Sequence, residues 1–182
     1  FHMSEALLEA LNPGANFKAA GTRLVVAQPE VPALPSADHV EVDKARASLR
    51  AYDAKGVMVG SFPATVGSVE RPSPRGVHKV VGVSLDPVYV YDPSKLTWGP
   101  KGHGKLTIKP GPNNPVGLVW IALNAPGYGI HGSPRPDKIG KSASHGCVRL
   151  TNWDALLLSA AVKPGTPVVF VHQRGGAGAD GA

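Results

Sequence analysis

Ser144-His145-Gly146-Cys147-Val148-Arg149-Leu150 contains the single cysteine of this 182-residue chain, and its reading decides what kind of domain surrounds it. A lone thiol has no internal disulfide partner, so packing, metal binding or chemistry must account for it. His145 stands two residues before Cys147 and Arg149 two residues after, while Gly146 lets the backbone approach a ligand closely. Sixteen positions upstream of the thiol, Ile130-His131-Gly132-Ser133 supplies a second imidazole. An imidazole within hydrogen-bond reach of a thiol can take its proton and leave a thiolate–imidazolium pair, the minimal machinery of thiol catalysis. That imidazole needs its other nitrogen held, and with no aspartate beside His131 the carbonyl of Gly132 is the expected partner. The N–H groups of Gly146 and Cys147 are the expected donors to an oxyanion.

Working outward, Tyr128 to His131 reads as a short strand, and Thr151-Asn152-Trp153-Asp154 has capping-box spacing ahead of a helix through Val162. Lys163-Pro164-Gly165 ends that helix, and Pro167 to His172 reads as a final strand. Cys147 therefore falls on a connection between a strand that ends in His131 and a helix, where a rigid scaffold presents catalytic groups. Before the loop Lys109 to Val116 come further strand signals. Glu41 to Tyr52 alternates as one strand, Asp53 to Gly56 turns, and Val57 to Val66 returns as its hairpin partner. Pro72-Ser73-Pro74-Arg75-Gly76 is a turn ahead of a strand over 77–81, and Gly117 to Leu123 is a buried strand. The expected fold is mostly β with few helices.

Nearer the N-terminus, Ser4 caps a short helix through Leu11, Asn12-Pro13-Gly14 stops it, and Gly21 to Val26 reads as a strand. Prolines 29, 32 and 35 mark an extended linker. The expected organisation is an N-terminal segment over 1–28, a Pro-rich linker over 29–37, a catalytic domain over 38–172 and a frayed tail over 173–182. Phe1-His2-Met3 reads as a cloning remnant, with an original leader expected to have preceded it. No apolar stretch is long enough for a transmembrane helix.

Composition narrows the classes. Hydrophobic residues make up 42% of the chain, enough for a core, and charged residues only 18%, which excludes a disordered polyelectrolyte. The net charge of +6 suits an anionic partner. The basic residues are dispersed, however, and no nucleic-acid-binding motif is legible. No cofactor is called for.

Ile130-His131-Gly132 followed by Ser144 to Leu150 resembles the signature of the L,D-transpeptidase catalytic domain, also called the YkuD domain. Phe62-Pro63 to Gly67, Pro72 to Gly76, Gly111-Pro112-Asn113-Asn114-Pro115-Val116-Gly117 and Asn152-Trp153-Asp154 also stand where that family has similar residues, so the likeness covers roughly 38–172. The resemblance implies a β-sandwich-like core and a cysteine enzyme of peptidoglycan. It implies cleavage between meso-diaminopimelate and the terminal D-alanine of a tetrapeptide stem, a thioester on the cysteine, and transfer to a second diaminopimelate amine to give a 3→3 cross-link. Carried onto this chain it makes Cys147 the nucleophile, His131 the base and Gly132 the orienting carbonyl, with His145 and Gly146 shaping the oxyanion region. Arg149, Ser144 and Asn114 fall to substrate binding. Specificity is expected from the loop around 92–116, with Tyr89, Tyr91 and Trp98 as groove aromatics. The implied location is the periplasm or cell wall. The N-terminal segment resembles the closing half of a LysM glycan-binding repeat, which implies glycan contact, against the plainer reading of a packed extension.

Three alternatives stay open at this level. Water as acceptor would make an L,D-carboxypeptidase. His131, His145 and Cys147 are three ligands that a zinc peptidase could use, although no metalloprotease helix motif accompanies them. A non-catalytic wall-binding module would keep the fold without the chemistry. A monomer is the default.

Overall fold

The computed structural model describes residues 3, 5–27, 32–68, 71–94, 104–141, 144 and 146–171. The chain divides into two compact units, residues 1–33 and 34–182.

In the first unit, helix α1 (Glu5–Leu11) forms where the leucine spacing predicts it. The strand expected over 21–26 does not form. Asn12 supplies the reason. Its carboxamide accepts from the Val25 N–H at 2.6 Å and donates to the Val25 carbonyl at 2.7 Å, doing for that residue what a neighbouring strand would do. The same amide nitrogen donates to the Leu8 carbonyl at 2.8 Å and so joins the helix end to the extended segment.

Among its described residues the second unit holds eleven strands and helix α2 (Asn152–Ala161). In chain order the strands are β1 (His39–Asp43), β2 (Ser48–Tyr52), β3 (Met58–Pro63), β4 (Thr65–Val66), β5 (Gly76–Leu85), β6 (Tyr89–Tyr91), β7 (Leu106–Ile108), β8 (Val119–Leu123), β9 (Gly129–His131), β10 (Val148–Arg149) and β11 (Pro167–Val171). Nine of them make one sheet in the order β3-β2-β1-β11-β5-β8-β9-β10-β4, and β6 pairs β7 separately. Strands β3 and β4 occupy opposite ends of that order, yet only Ala64 separates them in sequence. The sheet must therefore curl until its ends meet, giving two facing halves around one core.

Alternation fixes which side chains enter the core. Along β8, Val119, Ile121 and Leu123 are buried while Trp120 and Ala122 face the other way. Leu49, Ile130, Val148, Leu150 and Leu158 are likewise fully enclosed, each contributing about 1.5–3 kcal/mol relative to exposure. Helix α2 lays Ala155, Leu158 and Ala161 against this core, packing on β8 and β9. Its N-cap is Thr151, whose hydroxyl accepts from the Asp154 N–H at 3.1 Å.

The single strand expected over 41–52 is instead two antiparallel strands, β1 and β2. The break lies at 44–47, where the Asp43 carboxylate accepts the Arg46 N–H at 3.0 Å and Ala47 adopts a positive φ of 48°. The strand expected over 77–81 runs on to Leu85 through a bulge between Val80 and Gly82. Within the expected linker, Ala37 is buried and its N–H bonds the Ala161 carbonyl at 2.8 Å, so the chain joins the second unit before β1 begins. The expected frayed tail lies outside the described residues.

Candidate active site

Strands β9 and β10 run parallel, with Ile130 opposite Val148 and His131 opposite Arg149. Because side chains alternate, Ile130 and Val148 both enter the core. His131 and Arg149 therefore share the opposite face, and Cys147, one residue before Val148, belongs to that face too. The sixteen-residue separation in sequence becomes adjacency on two neighbouring strands.

His131 is 4% exposed. Its Nδ1 bonds the Gly132 carbonyl at 2.7 Å, which makes Nδ1 the protonated nitrogen and leaves Nε2 unprotonated. On the neighbouring strand Trp120 sits opposite it, and the two rings stack 5.5 Å apart at 26°. Burial pushes the imidazole down from 6.5 to about 4, the Gly132 carbonyl opposes that fall, and the Arg149 guanidinium adds to it. The Cys147 thiol moves the other way. Burial raises it above its ordinary value, while the Gly129 backbone and Arg149 pull it back. Both shifts favour the uncharged forms, a resting thiol and a neutral imidazole. Cys147 Sγ donates to the Gly127 carbonyl at 3.6 Å.

The thiol-bearing turn is braced from below. Ser144 is buried, its hydroxyl donates to the Cys147 carbonyl at 2.5 Å, and it accepts from the Gly146 N–H at 3.3 Å. Ser73, also buried, donates to the Gly146 carbonyl at 2.7 Å. Gly146 itself has a φ of 108°, and a Cβ there would come within 2.7 Å of Tyr128 Cε1. Only glycine fits that position without strain. His145 lies outside the described residues.

Beside His131 opens a groove of ≈ 400 Å³ lined by Ser84, Pro87, Val88, Tyr89, Val116 and Trp120. Trp120 thus belongs both to the groove wall and to the imidazole's stack. Burial raises the Tyr89 hydroxyl above its ordinary value, Tyr91 and Cys147 add to the rise, and Arg149 lowers it. Tyr91 is buried on the same hairpin, and Trp98 lies outside the described residues. Asn114, 2% exposed, directs its amide to the carbonyls of Pro87 at 3.1 Å and Lys109 at 3.0 Å and accepts from the Val116 N–H at 3.0 Å. Its polar atoms are engaged by the loop's own backbone. Arg149 has no carboxylate partner among the described residues.

Among the described residues no group of three or more His, Cys, Asp or Glu side chains could hold a metal ion. The zinc reading needs His145, which those residues do not include. Trp120, Ser73 and Asn152 carry weight in the site that residue-type reasoning did not assign them. A signal for Trp120 was present: pairing the strand at 117–123 with that at 128–131 puts an indole opposite the candidate base.

This fold defines a class, mostly β domains that carry a cysteine and a histidine on neighbouring strands of one curled sheet. The family model for the L,D-transpeptidase catalytic domain, YkuD, matches residues 37–170, and the chain belongs to that family. A putative L,D-transpeptidase YkuD of Bacillus licheniformis is 30% identical over 170 residues, covering 90% of this chain and 84% of the relative. A probable L,D-transpeptidase ErfK/SrfK of Escherichia coli is 31% identical over 172 residues, covering 92% of this chain but 55% of the relative. Among solved structures, an L,D-transpeptidase from Mycobacterium smegmatis superposes with a TM-score of 0.57 at 21% identity, over 73% of this chain and 58% of that one. L,D-transpeptidase 3 from Mycobacterium tuberculosis, in complex with a faropenem-derived adduct, gives 0.59 at 19% identity, over 76% of this chain and 61% of that one. At these identities the solved structures speak to the fold alone. The mostly β, sandwich-like architecture expected from the sequence is the one they share. No helix among the described residues is long and apolar enough to cross a membrane.

Proposed function

We propose that this domain is a peptidoglycan L,D-transpeptidase that forms 3→3 cross-links through a thioester on Cys147. The observation that carries the reading is the shared face of β9 and β10. It puts His131 and Cys147 on neighbouring strands, with Nδ1 of the imidazole committed to the Gly132 carbonyl and Nε2 left unprotonated.

The steps follow from those two groups. His131 Nε2 takes the thiol proton as Sγ attacks the carbonyl carbon that links the L-centre of diaminopimelate to the terminal D-alanine. With the Gly146 N–H occupied by Ser144 Oγ, the Cys147 N–H is the donor left to support the oxyanion, while the Gly129 backbone bonds the sulfur. Collapse breaks the C–N bond, and the imidazolium returns its proton to the departing D-alanine amine. A side-chain amine of a second stem then attacks the thioester, His131 accepts its proton, and the thiol leaves with that proton. Neither resting partner needs charge. The neutral pair supports proton transfer in step with attack, rather than the preformed ion pair that the sequence suggested.

Arg149, without a carboxylate partner among the described residues, suits the carboxylate of the stem. The groove under Tyr89 and Trp120 suits the stem's aliphatic length. Ser144 and Asn114 serve by holding the thiol turn and the groove loop. Work on such a substrate implies export to the periplasm or wall. Incubating the protein with a disaccharide-tetrapeptide, which can serve as both donor and acceptor, tests the acceptor. Cross-linked product supports transpeptidation, while free tripeptide alone would replace it with carboxypeptidation.

A further inference from the structure

The first residue of α2 sends its side chain away from the helix and into the support of the candidate base. Asn152 Oδ1 accepts the Leu118 N–H at 3.1 Å, and its Nδ2 donates to the Pro112 carbonyl at 3.1 Å. The carboxamide is wedged between Gly117 and Gly132. A Cβ on either glycine would overlap Asn152 Oδ1, and one on Gly117 would also lie 2.7 Å from the Gly132 carbonyl carbon. Two backbones and one side chain therefore meet where only two glycines leave room.

Gly132 is the residue whose carbonyl holds His131 Nδ1. Its own N–H is tied to the Val119 carbonyl at 3.2 Å, but its carbonyl belongs to the next peptide plane, toward Ser133. Rotation between those planes would swing the acceptor away from the imidazole. The Asn152 carboxamide and the Gly117 backbone pack against Gly132 at the pivot of that rotation. The same carboxamide holds Pro112, in the loop that delivers Val116 to the groove wall.

We propose that Asn152 is a positioning residue for His131, acting through Gly132, and that it couples the groove loop to the base. The proposal rests on the reading of His131 as the base. One side chain fixes the acceptor that selects the Nδ1–H tautomer, and it also fixes the loop that meets the substrate. Its Cα is anchored by the capped start of α2, so the wedge cannot drift.

The test uses Asn152→Ala and Asn152→Asp in the whole chain, with two readouts independent of any wall substrate. Imidazole nitrogen–proton correlation spectra report the His131 tautomer, and p-nitrophenyl acetate reports acylation of Cys147 as a function of pH. In Asn152→Ala, both tautomers are expected, with acylation slowed roughly 10²-fold, the scale of an ångström-level misplacement. A folded Asn152→Ala with a single wild-type tautomer and acylation within about two-fold of wild type would overturn the proposal. If that variant does not fold, Asn152→Asp decides. It keeps an acceptor for Leu118 and adds a negative charge beside Gly132, so the acid limb of acylation should move upward from about 4. An unmoved limb would overturn the coupling. If the wild type is not acylated at all, the reading of the domain fails instead, and the tautomer spectra still decide the role of Asn152.

Discussion

Acid should destabilise this domain through one histidine, and the size of the effect follows from its burial. The His131 imidazole titrates at about 4 in the folded protein against 6.5 when free. Between those values the unfolded chain binds a proton that the folded one refuses, so stability falls as pH falls. The contribution is fully present above 6.5, erodes through the window and is gone below about 4. At 1.36 kcal/mol per pH unit the difference is about 3 kcal/mol. The perturbation is His131→Asn, whose Nδ2 reproduces the donor to the Gly132 carbonyl while carrying no titratable group. Urea unfolding of both proteins at intervals from pH 4 to 8 isolates the histidine, because every other group titrates in both. The wild type should lose about 3 kcal/mol relative to His131→Asn across that range. Parallel curves would refute the claim that burial, and not a carboxylate or solvent, governs this imidazole.

Other expectations follow from single contacts. Gly146→Ala forces a side chain into a φ of 108° and onto Tyr128, and should cost about 1–3 kcal/mol of stability in denaturant unfolding. A variant as stable as wild type would contradict the described turn. Ser73→Ala strands the Gly146 carbonyl that its hydroxyl serves, at a cost of about 1–3 kcal/mol, and should slow acylation of Cys147 in a quenched mass assay. Trp120→Leu removes the ring stacked on His131 and admits solvent. The imidazole should then titrate closer to 6.5 by NMR, and an unmoved titration would mean that the stack does not shield it.

Much of the site was legible because its chemistry is written in rare residues. One cysteine, a histidine sixteen positions away and glycines beside both left few arrangements, and the Gly132 carbonyl was anticipated because His131 has no neighbouring carboxylate. The charge state was not legible. A thiol and an imidazole in sequence suggest an ion pair, and only their burial reverses that. Asn152 and Ser73 were read as a helix start and a turn, since nothing in a sequence says which backbone a side chain will meet across the fold. The fold shows the same divide. Apolar runs bounded by turn residues gave β8, β9 and β11, and Thr151 gave the start of α2. The apolar spacing slips by one residue between Val42 and Ala45, where the turn built on Asp43 splits β1 from β2, but the alternation resumes at once and the stretch reads as one strand. The strand read at 21–26 fails for the opposite reason. Its residues favour extension, but in the first unit their partner is the Asn12 side chain and not a strand.

The central claim is that Cys147 carries the acyl group. It is tested most directly by mass spectrometry of a disaccharide-tetrapeptide incubated with this protein and, in parallel, with Cys147→Ala. The account predicts a wild-type adduct of the substrate less D-alanine, free D-alanine, and dimer when a second stem is supplied, all absent from the variant. Release of D-alanine by Cys147→Ala, or a folded and reduced wild type that forms no adduct, would contradict it.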